Sequence, residues 1–377
     1  MITIYWSFLL GLAASILVYR IWLHPVRNMP GPFWAKTSKW WVVYQQWRTG
    51  LRFHQYSQKL HKRYGDILRI GPNDLSIIDP DIIPMLGKAK EFGARVTLKS
   101  VFIRYETGKP TQYAGGSSWD RDFTVKALQG YVPQMAKYSD QLMSNISKSE
   151  GAPMNISNLF MFLTFDVMGD LAFGKPFGIL ETEGLDGADS FIKTMHGFTR
   201  VVGSVSHVPW FMFLLQWLPG SLSGEFDNFE RWCGHMVEKR KQFKPEKPDI
   251  FHFLLEAEPQ NIGEHHIDLI GDAQLASVAG SDTTANTFIN IFTQLASDPH
   301  VLQKLQHEID AIYNAQYDTD KGSVVPEVIL NGNSATTRYL DSVINEGLRL
   351  NPAVPGGVQR VTPEEGVTIN GIMGFHK

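Results

Sequence analysis

Hydrophobic and polar positions follow several rhythms along the chain, and each rhythm predicts an element. Residues 2–19 carry no charged side chain, and the apolar run continues past Arg20 through Ile21, Trp22 and Leu23. One helix of that length spans a bilayer with modest tilt. Pro25 and Pro30-Gly31-Pro32 then predict a stiff, non-helical hinge. Residues 36–63 read as helical. Ile67, Leu68 and Ile70, then Leu75, Ile77 and Ile78, flank Gly71-Pro72-Asn73-Asp74, which is a hairpin pattern. Beyond Val125 helices dominate, expected over 131–148, 155–173, 187–202, 224–241, 250–258, 264–297, 300–313 and 336–350.

Between 267 and 295, apolar residues such as Leu269, Ala273, Ala276, Phe288 and Ile291 wrap most of the way round a 3.6-residue period, as a buried helix requires. Asp298-Pro299 stops it. Inside lies Ala279-Gly280-Ser281-Asp282-Thr283-Thr284, where the glycine costs about 1 kcal/mol relative to alanine and a carboxylate and hydroxyls stand where apolar side chains would pack best. A glycine lets a flat ligand approach the backbone. A threonine hydroxyl bonds back one turn and opens a groove. An acid beside an alcohol passes protons to a bound oxygen species. The alternative is a solvent-facing kink in an ordinary long helix.

A second segment runs from Asp341 to Pro352. Glu346 and Arg349 are three apart on one helical face and can form a charged pair, with bidentate geometry open to them. Such pairs alone are usually solvated surface charges. Here Leu348 and Leu350 flank the pair and Asn351-Pro352 closes the helix, which predicts partial burial and a structural lock that is costly to break.

Residues 279–284 resemble the oxygen-activation signature Ala/Gly-Gly-x-Asp/Glu-Thr-Thr/Ser of the cytochromes P450, and Glu346 and Arg349 resemble their Glu-x-x-Arg, in the same order and separation. Tyr64 to Pro72, Thr164 to Gly174 and Pro355 to Pro363 are similar to further family segments, so the resemblance covers essentially the whole chain. It implies a mainly α fold with a small β-sheet: the cytochrome P450 fold lacking its C-terminal part, preceded by one N-terminal transmembrane helix. The expected domains are an anchor at 1–23, a proline-rich hinge at 24–35 and an incomplete catalytic domain at 36–377. The implied cofactor is haem and the implied partners are an NADPH-dependent reductase flavoprotein, an apolar small-molecule substrate and the lipid bilayer. Asp282 would relay protons and Thr283 would hold the oxygen-bound water network; Gly280, Trp119, Arg121 and Arg360 would contact the haem. Arg360 is read either as a propionate contact or as an exposed strand-end arginine. Phe102, Phe211 and Val354 are substrate contacts by position.

Two departures stand out. The family holds its iron through a cysteine thiolate in a Gly-rich loop near the C-terminus, and thiolate donation favours O–O cleavage. This sequence has one cysteine, Cys233, in an amphipathic segment where a packed small side chain is expected and no metal ligand. The expectation is a premature stop, a frameshift or a misplaced intron boundary, with a Phe-x-x-Gly-x-Arg-x-Cys-x-Gly loop encoded downstream. Around Trp119 and Arg121 the family's basic residues are replaced by Ala114-Gly-Gly-Ser-Ser118, which thins the charge facing two propionates.

Composition adds limits. With 377 residues, 43% hydrophobic and 12% aromatic, the chain can bury a large core. A formal charge of −3 with no long basic run gives no indication of nucleic-acid binding. One cysteine excludes an intrachain disulfide and fits a reducing compartment. Arg20, Arg27, Lys36 and Lys39 follow the apolar run, which places the bulk of the chain in the cytoplasm. The sequons at Asn145 and Asn155 then stay unmodified. The aromatic stretch 208–219 reads either as a surface dipping into the membrane or as a buried core helix. The adjacent His265 and His266 diverge by about 100 degrees on a helix, and no metal other than haem iron is assigned. The expected function is a monooxygenase of the endoplasmic reticulum membrane, a tailoring enzyme of fungal secondary metabolism. The alternative is a catalytically inactive relative without thiolate ligation.

Overall fold

The apolar N-terminal run forms helix α1 (Ile2–Val18) and continues as one π-helical turn over Tyr19–Leu23. This computed structural model describes residues 2–80, 124–182, 188–205, 207–208, 211, 221–245, 249–256, 262–317, 336–356, 368–369 and 372–373. No part of the 22-residue run Ile2–Leu23 is buried, and its mean hydropathy of 1.8 makes it long and apolar enough to cross a membrane. Two compact units divide the chain: Met1–Thr97 with Phe198–Ser223 and Gly356–Lys377, and Leu98–Gly197 with Gly224–Pro355.

In the first unit the helical stretch expected over 36–63 is three helices, α2 (Phe33–Thr37), α3 (Trp40–Arg48) and α4 (Phe53–Tyr64). Gly50 and Leu51 break it, at φ 59° and 65°. This left-handed backbone cannot continue an α-helix. Strands β1 (Ile67–Arg69) and β2 (Leu75–Ile77) form the expected antiparallel hairpin, with Ile67 opposite Ile77 and Arg69 opposite Leu75. The proline-rich segment docks on β1: Arg69 N donates to Pro30 O at 2.7 Å, and a Cβ on Gly31 would strike the Arg69 carbonyl oxygen. A second short hairpin pairs β3 (Thr368–Ile369) with β4 (Ile372–Met373).

The second unit is helical among its described residues. It holds α5 (Val125–Lys148), α6 (Ile156–Phe173), α7 (Ile179–Thr182) and the first part of α8 (Ala188–Val205), then α9 (Ser221–Lys241) from Gly224 on and α10 (Ile250–Glu256). After these come α11 (Ile262–Ser277), a π turn at Val278–Asp282, α12 (Thr283–Ser297), α13 (Pro299–Tyr317) and α14 (Arg338–Leu350). The Thr124 side chain accepts from Ala127 N, and α5 begins two turns earlier than the expected 131, running through Pro133. At the centre lies α6. It is as apolar as a membrane span, yet 61% of it is buried inside the protein, so it is a core helix. Within it the buried Asp166 accepts from Ile179 N at 3.2 Å and Leu180 N at 2.7 Å, tying α7 to the core. Burial holds the Asp166 carboxyl above its ordinary range, against the opposing pull of these backbone donors. The Asn145 amide is buried and donates to Leu180 O at 2.8 Å, so in the folded chain it is not a glycan acceptor.

Candidate active site

The hexapeptide 279–284 sits where the long helix changes pitch. Over Val278–Asp282 the ladder widens into a π turn between α11 and α12. Each hydroxyl of the segment bonds back one turn: Ser281 Oγ to Ser277 O, Thr283 Oγ1 to Ala279 O at 2.6 Å and Thr284 Oγ1 to Gly280 O at 2.8 Å. Widening frees carbonyls from the i→i−4 pattern, and these hydroxyls satisfy them. The turn is therefore the loosened ladder that the threonines imply.

Asp282 and Thr283 lie on the partly exposed side of this turn, whereas Ser281 and Val278 face the core. The Asp282 carboxylate meets an unexpected partner: His196 Nε2, from α8, lies 3.3 Å from Oδ1, with side-chain exposures of 37% and 26%. No spacing in the sequence links residues 86 apart; the only local signal is that His196 borders the buried stripe Ile192, Met195 and Phe198. The turn thus carries an acid and an alcohol at adjacent positions, with an imidazole from α8 against the acid. Such a set can accept, hold and hand on a proton.

Gly280 lies close against α6. A Cβ there would run into the thioether of Met168 from α6, so the room the glycine leaves is filled by packing.

The Glu346–Arg349 pair forms but is not buried. Arg349 Nε donates to Glu346 Oε2 at 2.7 Å and Nη2 to Oε1 at 2.6 Å, with side-chain exposures of 67% for Arg349 and 53% for Glu346. The guanidinium hydrogen bonds lower the Glu346 carboxyl and raise Arg349. The reason for the exposure is the helix face. Tyr339, Val343 and Gly347, spaced by four, are the side of α14 that packs on α12, so Glu346 and Arg349 point away from it. Gly347 is buried and allows the close approach, because a Cβ there would collide with Ile291. Leu348 and Leu350, which were expected to cover the pair, are themselves exposed. The entrance to α14 is set from α13: both Glu308 carboxylate oxygens accept from Tyr339 N, at 3.1 and 3.0 Å, and Oε1 also takes Leu340 N at 2.9 Å. No local pattern signals this capping, because Glu308 and Tyr339 are 31 residues apart.

Cys233 is fully buried in α9, and burial, reinforced by Glu230, pushes its thiol well above the usual range. A thiol so placed is neither ionised nor accessible and does not fit an axial iron ligand. Trp119, Arg121, Arg360 and Phe102 lie outside the described residues. Phe211 packs edge-on against Trp40 at 4.8 Å, and Val354 is exposed.

A protein-family model described as cytochrome P450 matches residues 35–376. Similar curated proteins include a cytochrome P450 monooxygenase of Fusarium pseudograminearum, 37% identical over 96% of this chain and 65% of its own length. Another is a cytochrome P450 monooxygenase of Eupenicillium brefeldianum, at 33% over 96% and 71%. The tryprostatin B 6-hydroxylase of Aspergillus fumigatus is 32% identical over 97% and 64%. The chain spans about two thirds of the length of these relatives.

Proposed function

The chain belongs to the cytochrome P450 family, and from that premise we propose a haem monooxygenase that inserts one oxygen atom of O2 into an apolar small molecule in fungal secondary metabolism. The observation that carries this reading is the π turn at Val278–Asp282, with Thr283 at its end and Asp282 against His196. A haem in this family supplies dioxygen activation. The residues of this chain supply proton handling: His196 holds the Asp282 carboxylate, Asp282 passes a proton, and the Thr283 hydroxyl positions water beside it. Trp119, Arg121 and Arg360 are proposed for the propionates. The name of the Aspergillus fumigatus relative supports a tailoring step. Electrons come from an NADPH-dependent reductase flavoprotein. The proposed anchor is 1–23, followed by the 24–35 hinge and the catalytic residues from 36 on the cytoplasmic side of the endoplasmic reticulum.

A ligand for the haem iron is less well provided among the described residues. The buried Cys233 offers no thiolate, and the second reading is a P450-like membrane protein without thiolate-ligated haem. One experiment separates the two. The chain alone and the chain joined to the remaining segment of the Fusarium pseudograminearum relative are expressed in yeast microsomes, reduced and exposed to carbon monoxide. The joined protein should give the red-shifted band of thiolate-ligated haem, and the chain alone should not. A joined protein that folds but takes no haem overturns the oxygenase reading. A band from the chain alone that vanishes in Cys233→Ser overturns the assignment of Cys233. In the joined enzyme Asp282→Asn should lower turnover by roughly 100-fold or more with little change in substrate binding.

A further inference from the structure

A cavity of about 360 Å³ lies in the first unit, lined by Arg20, Ser38, Lys39, Trp40, Pro72 and Asn73 among others. We propose that this cavity binds the phosphate of an anionic membrane glycerophospholipid.

Position is the first argument. A helix rises about 1.5 Å per residue, so a run of this length matches a hydrocarbon core of about 30 Å. Arg20, near the end of Ile2–Leu23, then stands at headgroup level. The inference rests on this anchor reading. Just beyond, α3 turns Trp40, Tyr44 and Trp47 outward at i, i+4 and i+7, and Phe33 and Trp34 of α2 are likewise exposed. Indole and phenol rings concentrate at the same level of a bilayer. The cavity opens between the anchor's last turn and this aromatic face.

Charge is the second and independent argument. Arg69 is fully buried directly behind the lining, and its guanidinium donates only to carbonyls: Nη2 to Arg20 O at 3.0 Å and to Pro72 O at 2.7 Å, Nη1 to Val26 O and Nε to Gly71 O, both at 3.3 Å. None of these partners is an acid, and burying such a charge is costly unless an anion answers it. Arg20 donates Nη1 to Thr37 O at 2.6 Å, leaving its other guanidinium edge for a ligand. Lys39 pairs with Asp74 at 3.1 Å. Three cations therefore share one carboxylate around the cavity. His24 feels the same field: burial first, then Arg69 and Arg20, hold its imidazole below the ordinary range. A phosphodiester with an additional negative headgroup suits this surplus, with Arg20 as a fork on two oxygens, Lys39 as a point charge and the Trp40 ring against the glycerol.

The full chain, purified in a phospholipid-free maltoside detergent, is mixed with phosphatidylserine or phosphatidylcholine, and retained lipid is counted by native mass spectrometry. One phosphatidylserine per chain should be retained in preference to phosphatidylcholine. Arg20→Gln and Lys39→Gln should each weaken retention by about tenfold, as expected for a lost charge-assisted bond, and Arg20→Lys should weaken it less. Equal retention of both lipids, or variants that bind like the parent, overturns the proposal. Inorganic phosphate at millimolar concentration should not displace the lipid; full displacement identifies a free-phosphate site and overturns the lipid assignment. If Arg20→Gln fails to fold by circular dichroism, Lys39→Gln and the phosphate competition decide. Microsomal pelleting keeps the two readings apart. A full-length chain that stays soluble refutes the anchor, whereas one that pellets without lipid preference refutes the site alone.

Discussion

Replacing Asp249 by asparagine tests the packing logic of the helical unit most directly. Arg240, in the last turn of α9, and Asp249, just before α10, have side-chain exposures of only 5% and 3%. Nε donates to Oδ2 at 2.6 Å, Nη2 to Oδ1 at 2.8 Å and Nη1 to Phe243 O at 2.9 Å. The same carboxylate abuts the end of α6, where Gly174 stands at φ 69° and a Cβ would come within 2.9 Å of Oδ2. Three helix ends thus converge on one ion pair. Asparagine keeps the shape but leaves the guanidinium buried without its counter-charge, a loss of about 3–5 kcal/mol. With a urea slope of roughly 3 kcal/mol per molar, the midpoint should fall by about 1–2 M, followed by far-ultraviolet circular dichroism in detergent. The double variant Arg240→Met/Asp249→Leu should recover most of the loss, because no charge remains to be stranded. A single variant that unfolds with the parent refutes the reasoning.

Three further outcomes are expected. Arg349→Met removes a pair of similar bidentate geometry that is solvent-exposed, so its denaturation midpoint should match the parent; a large drop would mean the pair is covered in the folded protein. Gly347→Ala forces a methyl into Ile291 and should destabilise by about 1–3 kcal/mol despite alanine's better helix propensity, while adding Ile291→Ala should relieve the clash; an additive double variant would count against it. Burial, as the largest cause, holds His24, His54 and His207 below the usual 6.5, so the unfolded chain takes up protons more readily than the folded one. Stability from these groups is fully present above 6.5 and is lost as pH falls below it. The thermal midpoint should therefore drop on acidification, less so in His207→Gln; a midpoint that rises would contradict the sign.

Periodicity made the helices readable because a 3.6-residue rhythm is local, and the hairpin at Gly71–Asp74 was readable because turn chemistry is local. What periodicity did not carry were breaks and starts set by single residues. The expected stretch at 36–63 divides at Gly50 and Leu51, and α5 begins at Val125 although Pro133 invites a start nearer 131. The Asp282–His196 contact and the Glu308 cap on Tyr339 of α14 join residues 86 and 31 apart, and these pairings exist only once helices pack.

The two arginine–carboxylate pairs separate what spacing decides from what it does not. An i,i+3 interval on a helix brings Glu346 to Arg349 whatever surrounds them, so their bond was legible. Burial depends on which face the helix turns inward, and that is decided by Gly347 against Ile291 rather than by the leucines beside the pair. Arg240 and Asp249, nine residues apart across a helix end, carry no periodic signal, yet they are the pair withdrawn from water. Gly280 follows the same logic: its glycine was legible as a departure from helix propensity, but whether the vacated space admits a ligand or a neighbour was decided by Met168, more than a hundred residues away on α6. At this turn the glycine therefore seats the helix against α6.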